Sequence, residues 1–100
     1  MANLTGAGAS TMAELIQEYT TEIEAKDGTI YRVRAYADKH PDGMWGAWLE
    51  YLPVNRAAPV LRTGDETEQA DLADLEYWAS GLEPVYLDGA LERTWPERGD

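Results

Sequence analysis

Apolar and polar residues alternate over three segments in the first half of the chain, and a period of two is typical of strands with one buried face. These segments are 16–25, 29–37 and 44–52, and a shorter β-prone segment follows at 60–63. Clusters of turn-forming residues such as Gly, Pro and Asp separate them. The pattern therefore predicts three strands and a fourth, short strand at the edge of an antiparallel sheet.

The first two segments form a predicted hairpin whose register depends on the loop at residues 26–28. A two-residue Asp-Gly loop would pair Ile23 with Arg32 and mix the two faces. A three-residue loop with Gly28 in the left-handed conformation pairs Ile23 with Tyr31 and keeps the apolar face whole. We therefore predict the three-residue loop. The same register sets two further pairs opposite each other: Thr21 with Val33, and Glu22 with Arg32.

In the last third, the pattern changes to a helical period. Apolar residues recur at the spacing of one helix face between 72 and 82, Gly81 is a typical stop, and Thr67 is a candidate N-cap. Pro84 suits the first position of a second helix. The expected fold class is α+β, in the order β-β-β-β-α-α. In it, an antiparallel sheet of three to four strands packs against one or two C-terminal helices, the first of which lies across the apolar face of the sheet.

The chain has 100 residues, of which 44% are hydrophobic, and this size suffices for one core. We expect a single domain at 13–95 between a flexible tail at 1–12 and a frayed tail at 96–100. No segment has the roughly 20 apolar residues of a membrane span. With no cysteine and no apolar leader at its start, the chain is expected to be cytoplasmic.

The formal net charge of −11 is concentrated at the C-terminal end. Residues 63–100 hold eleven acidic residues against Arg93 and Arg98, a net charge of −9. Nucleic-acid affinity comes mostly from cations on phosphates, so no direct nucleic-acid contact is expected. Asp71 and Asp74 lie on the polar side of the predicted helix, where they can simply keep the protein soluble or can complement a basic partner.

Residues with catalytic or metal-ligating chemistry are sparse. His40 is the single histidine, in a turn with Asp38 and Asp42 close in sequence. One imidazole and two loop carboxylates are fewer ligands than a buried zinc site needs, which favours an exposed turn histidine. No phosphate-binding glycine loop or nucleophile elbow is present. The sequence therefore predicts a protein that is not an enzyme, with no catalytic residue, cofactor or metal.

The second face of the predicted sheet combines aromatic and arginine side chains. Trp48 and Tyr36 lie there, with Arg32 and Arg34 on a neighbouring strand. The arginines can stack over Trp48 as a local cation–π cover. Alternatively, the face is a binding surface, because Trp, Tyr and Arg dominate interface hot spots. Both interpretations stay open. The candidate partner-binding residues are Trp48, Arg32, Arg34, Tyr36, Asp71 and Asp74.

About half of the chain, within residues 31–87, resembles the HicB-like antitoxin family in its layout. The corresponding pieces are Asp42-Gly43-Met44-Trp45 through Glu50-Tyr51-Leu52-Pro53, then Thr63-Gly64-Asp65-Glu66-Thr67, then an acidic, Ala/Leu-rich helix at 70–82. The chain departs from the family by an extra N-terminal strand and by the lack of a C-terminal DNA-binding segment, so autorepression is not carried over. The resemblance implies a non-catalytic acidic protein that masks a basic, RNA-cleaving toxin.

These observations together predict a small acidic module that binds a basic protein, with an antitoxin-like regulator as its sharpest version. Two alternatives stay open. One is an acidic inhibitor that mimics nucleic acid, of the phage anti-defence type, and the other is a small-ligand-binding domain with a pocket between the sheet and the final helix. No membrane contact is expected. The edge at 16–24 can pair with a second copy to form a homodimer, although its glutamates oppose this.

Overall fold

The computed structural model describes residues 13–55 and 58–94. Both predicted tails, 1–12 and 96–100, lie outside the described residues. In chain order, the elements are β1 (Glu14–Glu18), β2 (Ile23–Glu24), β3 (Ile30–Lys39), β4 (Trp45–Pro53), β5 (Leu61–Arg62), β6 (Thr67–Gln69), α1 (Leu72–Ser80) and α2 (Pro84–Thr94). The strands form one antiparallel sheet, and both helices follow it, which confirms the predicted α+β class.

The centre of the sheet is the hairpin of β3 and β4. The two strands pair without a slip from Tyr31 opposite Pro53 to Lys39 opposite Trp45. The turn between them contains Gly43 at a φ of 89°, a left-handed conformation that glycine adopts without steric cost. Alternate residues of both strands face the helices. We call the opposite side of the sheet the outer face.

Each edge of the sheet consists of two short strands in one row. β1 and β2 both pair with β3, while β5 and β6 both pair with β4. The described sheet therefore has four rows but six strands, more than the three to four predicted. The edge rows are interrupted between Glu18 and Ile23 and between Arg62 and Thr67, where the chain leaves the ladder.

The register predicted for the first hairpin is correct near its turn and wrong farther away. Ile23 lies opposite Tyr31, as predicted. The predicted pairing of Thr21 with Val33 is wrong. The backbone N–H of Tyr19 donates to the Val33 carbonyl instead, at 3.1 Å. Glu18 lies opposite Arg34 and Ile23 lies opposite Tyr31, so the edge chain takes five steps where β3 takes three. The segment between β1 and β2 therefore contains two extra residues. They allow Tyr19 and Ile23 to pack against the same core.

The prediction that Thr67 caps the first helix is wrong, because Thr67 lies in β6 opposite Ala47. A β-branched residue fits a pleated strand, and the Glu66 N–H aligns the segment by donating to the Ala47 carbonyl at 2.7 Å. α1 begins after Asp71, whose side chain makes no capping hydrogen bond. α2 begins at Pro84, as predicted. Neither described helix combines the length and the apolar character needed to cross a membrane.

The core lies between the inner face of the sheet and the two helices, which confirms the predicted packing of helix on sheet. Small side chains at Ala37 and Ala47 leave room for Leu75 of α1 to pack directly on the central strands. The described core residues with no exposed surface are Val33, Ala35, Ala37, Ala47, Leu49 and Tyr51 from the sheet, with Leu75, Ala79 and Ala90 from the helices.

Two tyrosine hydroxyls connect the sheet layer to the helices. The Tyr51 hydroxyl donates to the Leu87 carbonyl of α2 at 2.6 Å, and the Tyr19 hydroxyl donates to the Ala79 carbonyl of α1 at 2.6 Å. Burial raises the pKa of both phenols, because the charged phenolate would lose its hydration. Both hydroxyls therefore remain protonated donors in the folded protein at neutral pH.

Candidate functional site

Four of the predicted binding residues lie together on the outer face. Tyr36 is directly opposite Trp48, and Arg34 is directly opposite Glu50. Arg32 lies two residues before Arg34 on the same strand and therefore projects from the same face. The alternation in the sequence thus identified correctly which residues share this side of the sheet.

Trp48 is packed on this face rather than projecting from it. Its residue is only 5% exposed, and its ring stacks on Tyr36 with centroids 6.1 Å apart and an interplanar angle of 18°. The Arg62 guanidinium lies 4.0 Å from the indole centroid. The indole N–H donates to Glu50 Oε2 at 3.2 Å. A cation–π cover is therefore present, but Arg62 provides it instead of the arginines expected from the sequence.

The two expected arginines pair with carboxylates of the neighbouring edge. The Arg34 Nε donates to Glu18 Oε2 at 3.1 Å, and the Arg32 Nε lies 3.8 Å from Glu22 Oε2. The latter contact joins the residues that the predicted register set opposite each other. Each of these cations is already balanced by an anion, so the outer face presents little net positive charge to a partner.

The helix side of the molecule has a different electrostatic character. A set of carboxylates, which we call the acidic helix surface, is exposed on or immediately before the two helices. None of them forms an ion pair with another described residue, whereas the carboxylates at positions 18, 22 and 66 each pair with an arginine. The acidic helix surface consists of Asp71, Asp74, Glu76, Glu83, Asp88 and Glu92. It contains both predicted acidic binding residues.

Arg93 is the basic residue of the described helices, and it is engaged elsewhere. Its guanidinium donates to Glu66 Oε1, which also accepts a hydrogen bond from the Tyr86 hydroxyl at 2.6 Å. The Glu66 side chain is 9% exposed, so the carboxylate of this cluster is largely covered, while the Arg93 side chain is 56% exposed. The contact between Arg93 and Glu66 holds α2 against the segment before β6. Arg93, the cation of the described helices, is therefore already paired and does not form an ion pair with the acidic helix surface.

Two large apolar side chains project from the same helices. Tyr77 of α1 is 83% exposed and Val85 of α2 is 78% exposed. Tyr77 lies one turn after Asp74, and Val85 one turn before Asp88, so each lies beside a carboxylate of the acidic helix surface. Neither residue is among the binding residues predicted from the sequence. The exposure of Tyr77 could have been predicted, because Tyr77 lies outside the apolar stripe of α1 that runs through Leu75 and Ala79.

His40 lies between two carboxylates that are distant in sequence. Its Nε2 is 3.1 Å from Asp65 Oδ2, and its Nδ1 is 3.5 Å from Glu68 Oε2. The sequence analysis considered Asp38 and Asp42 as companions of this histidine. Asp42 instead accepts a hydrogen bond from the Met44 N–H at 2.9 Å within the turn. The close partners come from the loop before β6 and from β6 itself.

A cavity of about 550 Å³ lies between the end of the first hairpin and α2. Ala25 and Leu91 supply apolar lining, while Lys26, Glu92 and Arg93 supply charge of both signs. Its position corresponds to the pocket between the sheet and the final helix that the small-ligand alternative requires. The mixture of signs indicates no single ligand class.

Comparisons of this chain with protein-family models, with curated proteins and with solved structures found no match. The HicB-like resemblance therefore stays a prediction.

Proposed function

We propose that this protein is a non-catalytic module that binds a basic protein through its acidic helix surface. The observation that carries the proposal is the exposure of six carboxylates without an ion-pair partner among the described residues. Neighbouring like charges repel one another and lower the stability of the compact state. A cationic partner would relieve that repulsion, and its long-range attraction to this surface would speed association.

Tyr77 supplies a contact that charge alone does not give. Its ring projects from α1 one turn after Asp74 and is 83% exposed. Tyrosine is among the residues that dominate interface hot spots. A lysine or arginine of the partner can pair with the carboxylate and also lie over the ring, which adds a cation–π contact. We therefore put the centre of the proposed interface at Asp74 and Tyr77.

The outer face contributes less to this proposal. Arg32 and Arg34 already have carboxylate partners, and Trp48 is covered by Tyr36 and Arg62. These residues remain candidates for a second, smaller contact. An antitoxin-like regulator that masks a basic enzyme is the most specific version of the proposed function, because the positive charge of such a partner would complement the acidic helix surface.

The test uses the full chain as bait in an extract of its native host, followed by identification and purification of the retained protein. Three baits are compared with the wild type: the double variant Asp71→Asn/Asp74→Asn, the single variant Tyr77→Ala, and the control Glu14→Gln/Asp27→Asn. The control removes the same charge from exposed positions on β1 and in the turn before β3. Circular dichroism first establishes that all variants are folded.

We expect the wild type and the control to bind one basic protein with equal affinity, and the other two variants to bind it more weakly. Raising the salt from about 0.1 M to about 1 M shortens the screening length from about 10 Å to about 3 Å and should release the partner. The proposal is wrong if the Asp71→Asn/Asp74→Asn variant binds as tightly as the control, or if binding does not respond to salt.

Competition with nucleic acid separates the proposal from the nucleic-acid-mimic alternative. A partner whose nucleic-acid site is occupied by this protein would be displaced by added duplex or single-stranded oligonucleotide. A partner masked at another site would stay bound. Retention of a small molecule with salt-independent affinity would instead support the small-ligand alternative, whose candidate site is the cavity beside α2.

A further inference from the structure

His40, Asp65 and Glu68 form a cluster over Gly46 near the start of β4, on the outer face and away from the acidic helix surface. Residue 46 is a glycine, flanked by Asp38 on β3 and by Glu68 on β6 as its cross-strand partners. A Cβ at this position would lie 2.6 Å from His40 Nε2 and would overlap Asp65 Oδ2. Gly46 thus allows the imidazole and the carboxylate to approach each other directly over the strand. A glycine within a strand often marks such a close approach.

The two ring nitrogens of His40 both face carboxylate oxygens, at 3.1 Å and 3.5 Å. A neutral imidazole has one N–H donor and one acceptor lone pair, and an ionised carboxylate has acceptors alone. The other nitrogen then carries a lone pair close to an oxygen, a contact that a cation between them would make favourable. That cation is either a second proton on the ring or a metal ion.

We propose that this cluster binds a divalent transition-metal ion, with His40 Nε2 and Asp65 as its protein ligands. The separation of 3.1 Å between Nε2 and Oδ2 is the edge expected for two adjacent ligands whose bonds to the metal are about 2.0–2.2 Å long. The remaining coordination positions are left to water. Mixed imidazole and carboxylate ligands suit Zn²⁺ and its neighbours in the transition series better than Mg²⁺ or Ca²⁺.

Glu68 is a positioning residue in this arrangement. Metal-bound histidines usually donate their second N–H to a carboxylate, which fixes the tautomer and the orientation of the ring. Glu68 Oε2 lies 3.5 Å from Nδ1. A closer approach by a few tenths of an ångström would let it accept that proton and would leave the lone pair of Nε2 for the metal. A ring nitrogen of His40, one carboxylate oxygen of Asp65 and one of Glu68 all lie within 4.8 Å of one another. The metal would link the turn before β4 to the edge of the sheet at β6.

The experiment titrates ZnCl₂ into the untagged, chelator-treated full chain by isothermal calorimetry near pH 7.5. The variants are His40→Gln, Asp65→Asn and Glu68→Gln, and Asp71→Asn is the control that removes one charge outside the cluster. Thermal unfolding without metal establishes that each variant is folded. If His40→Gln does not fold, Asp65→Asn carries the test alone.

We expect one saturable site in the wild type and in Asp71→Asn, and no such site in His40→Gln or Asp65→Asn. Glu68→Gln should weaken binding about 10-fold or more, the usual effect of removing a carboxylate that orients a ligand histidine. Zn²⁺ should raise the melting temperature of the wild type by several degrees but not that of His40→Gln, and binding should weaken near pH 5.5 as protons compete with the metal.

The proposal is overturned if the wild type shows no saturable 1:1 binding. It is also overturned if His40→Gln and Asp65→Asn bind Zn²⁺ as tightly as Asp71→Asn, because that result would assign the binding to scattered surface carboxylates. None of these results depends on the basic partner proposed above.

Discussion

Replacing Tyr51 with phenylalanine should change the response of the fold to alkaline pH. The Tyr51 side chain is fully buried, and its hydroxyl donates to the Leu87 carbonyl at 2.6 Å. Burial, followed by the negative charge of Glu66, raises the pKa of this phenol above its ordinary value. An unfolded chain has no such environment, so its tyrosines ionise near pH 10, by about the ordinary value.

The direction of the effect follows from proton binding. Above about pH 10 the unfolded state has lost a proton that the folded state keeps, so the free energy of unfolding falls as the pH rises. One group contributes a slope of about 1.4 kcal/mol per pH unit until the folded protein also ionises. Below about pH 10 both states keep the proton, and the contribution of Tyr51 is fully present and constant.

The variant Tyr51→Phe has no proton to lose at this position, so its stability should fall less steeply by about that slope. At neutral pH the variant lacks one buried hydrogen bond, and we expect a loss of about 1 kcal/mol. Tyr19 is a second phenol whose pKa is raised by burial, and it remains in both proteins. The wild type and the variant therefore share its contribution, and their difference isolates Tyr51.

Urea unfolding followed by tryptophan fluorescence at several pH values between about 8 and 11.5 measures both quantities. Tyr77→Phe is the matched control, because Tyr77 is 83% exposed and the substitution removes the same hydroxyl. The control should follow the wild type at every pH. If Tyr51→Phe and the wild type lose stability with the same slope above about pH 10, the hydroxyl of Tyr51 is not held protonated by the core, and the reasoning fails.

Four further substitutions test the packing and the backbone by the same urea assay. Leu75→Ala should cost about 2–5 kcal/mol, because Leu75 is fully buried between α1 and the alanines of the sheet; an unchanged midpoint would mean that α1 does not pack there. Trp48→Ala should cost about 3 kcal/mol or more, since Trp48 is 5% exposed beneath Arg62 and Tyr36, and a loss below about 1 kcal/mol would contradict that cover. Gly28→Ala should destabilise the fold by about 1 kcal/mol because its φ is 90°, whereas Gly89→Ala, in α2 with no atom within 4 Å of the new Cβ, should stabilise it by a similar amount. Equal effects of the two glycine changes would refute the backbone argument.

The central part of the fold could be predicted because it depends on local pattern. The two-residue period of β3 and β4 places their residues on the correct faces, and the loop at Gly28 fixes the pairing of Ile23 with Tyr31. Each of these features rests on residues close in sequence. The stop at Gly81 and the start of α2 at Pro84 have the same local origin.

The edges of the sheet could not be predicted in the same way, because their pairing is decided by the strand beside them. Thr67 and its neighbours are polar and precede a helix, which suggests a cap. The exposed edge of β4 at Trp45–Ala47 offers backbone groups that pair with them instead. The local pattern does not contain this competition. The slip between β1 and β2 likewise reflects the fit of Tyr19 and Ile23 to a core built from distant segments.

The candidate sites show the same division. Residues that share the outer face were identified, but Arg62 covers Trp48 because β5 pairs with β4 and sets Arg62 opposite Glu50. The cluster at His40 depends on Asp65 and Glu68, which are distant from the histidine in sequence. No spacing in the sequence predicts the contact of Arg62 with Trp48 or the contacts of His40. In each case the central residue could be identified from the sequence, but its partners could not.

The two faces of this protein differ in how their charges are compensated, and this difference supports a function for the acidic one. On the outer face, carboxylates such as Glu18 and Glu22 each have an arginine beside them. On the helices, the helix dipole favours acids in the first turn, and this accounts for Asp74. It does not account for Glu92, which lies near the C-terminal end of α2, where the dipole disfavours a negative charge. Solubility requires net charge, but it does not require that charge at any particular position. The arginine–carboxylate pairs of the outer face show that this fold can also place a cation beside a carboxylate. Uncompensated carboxylates on both helices, one of them a turn away from an exposed tyrosine, therefore fit a surface whose counter-charges come from another molecule.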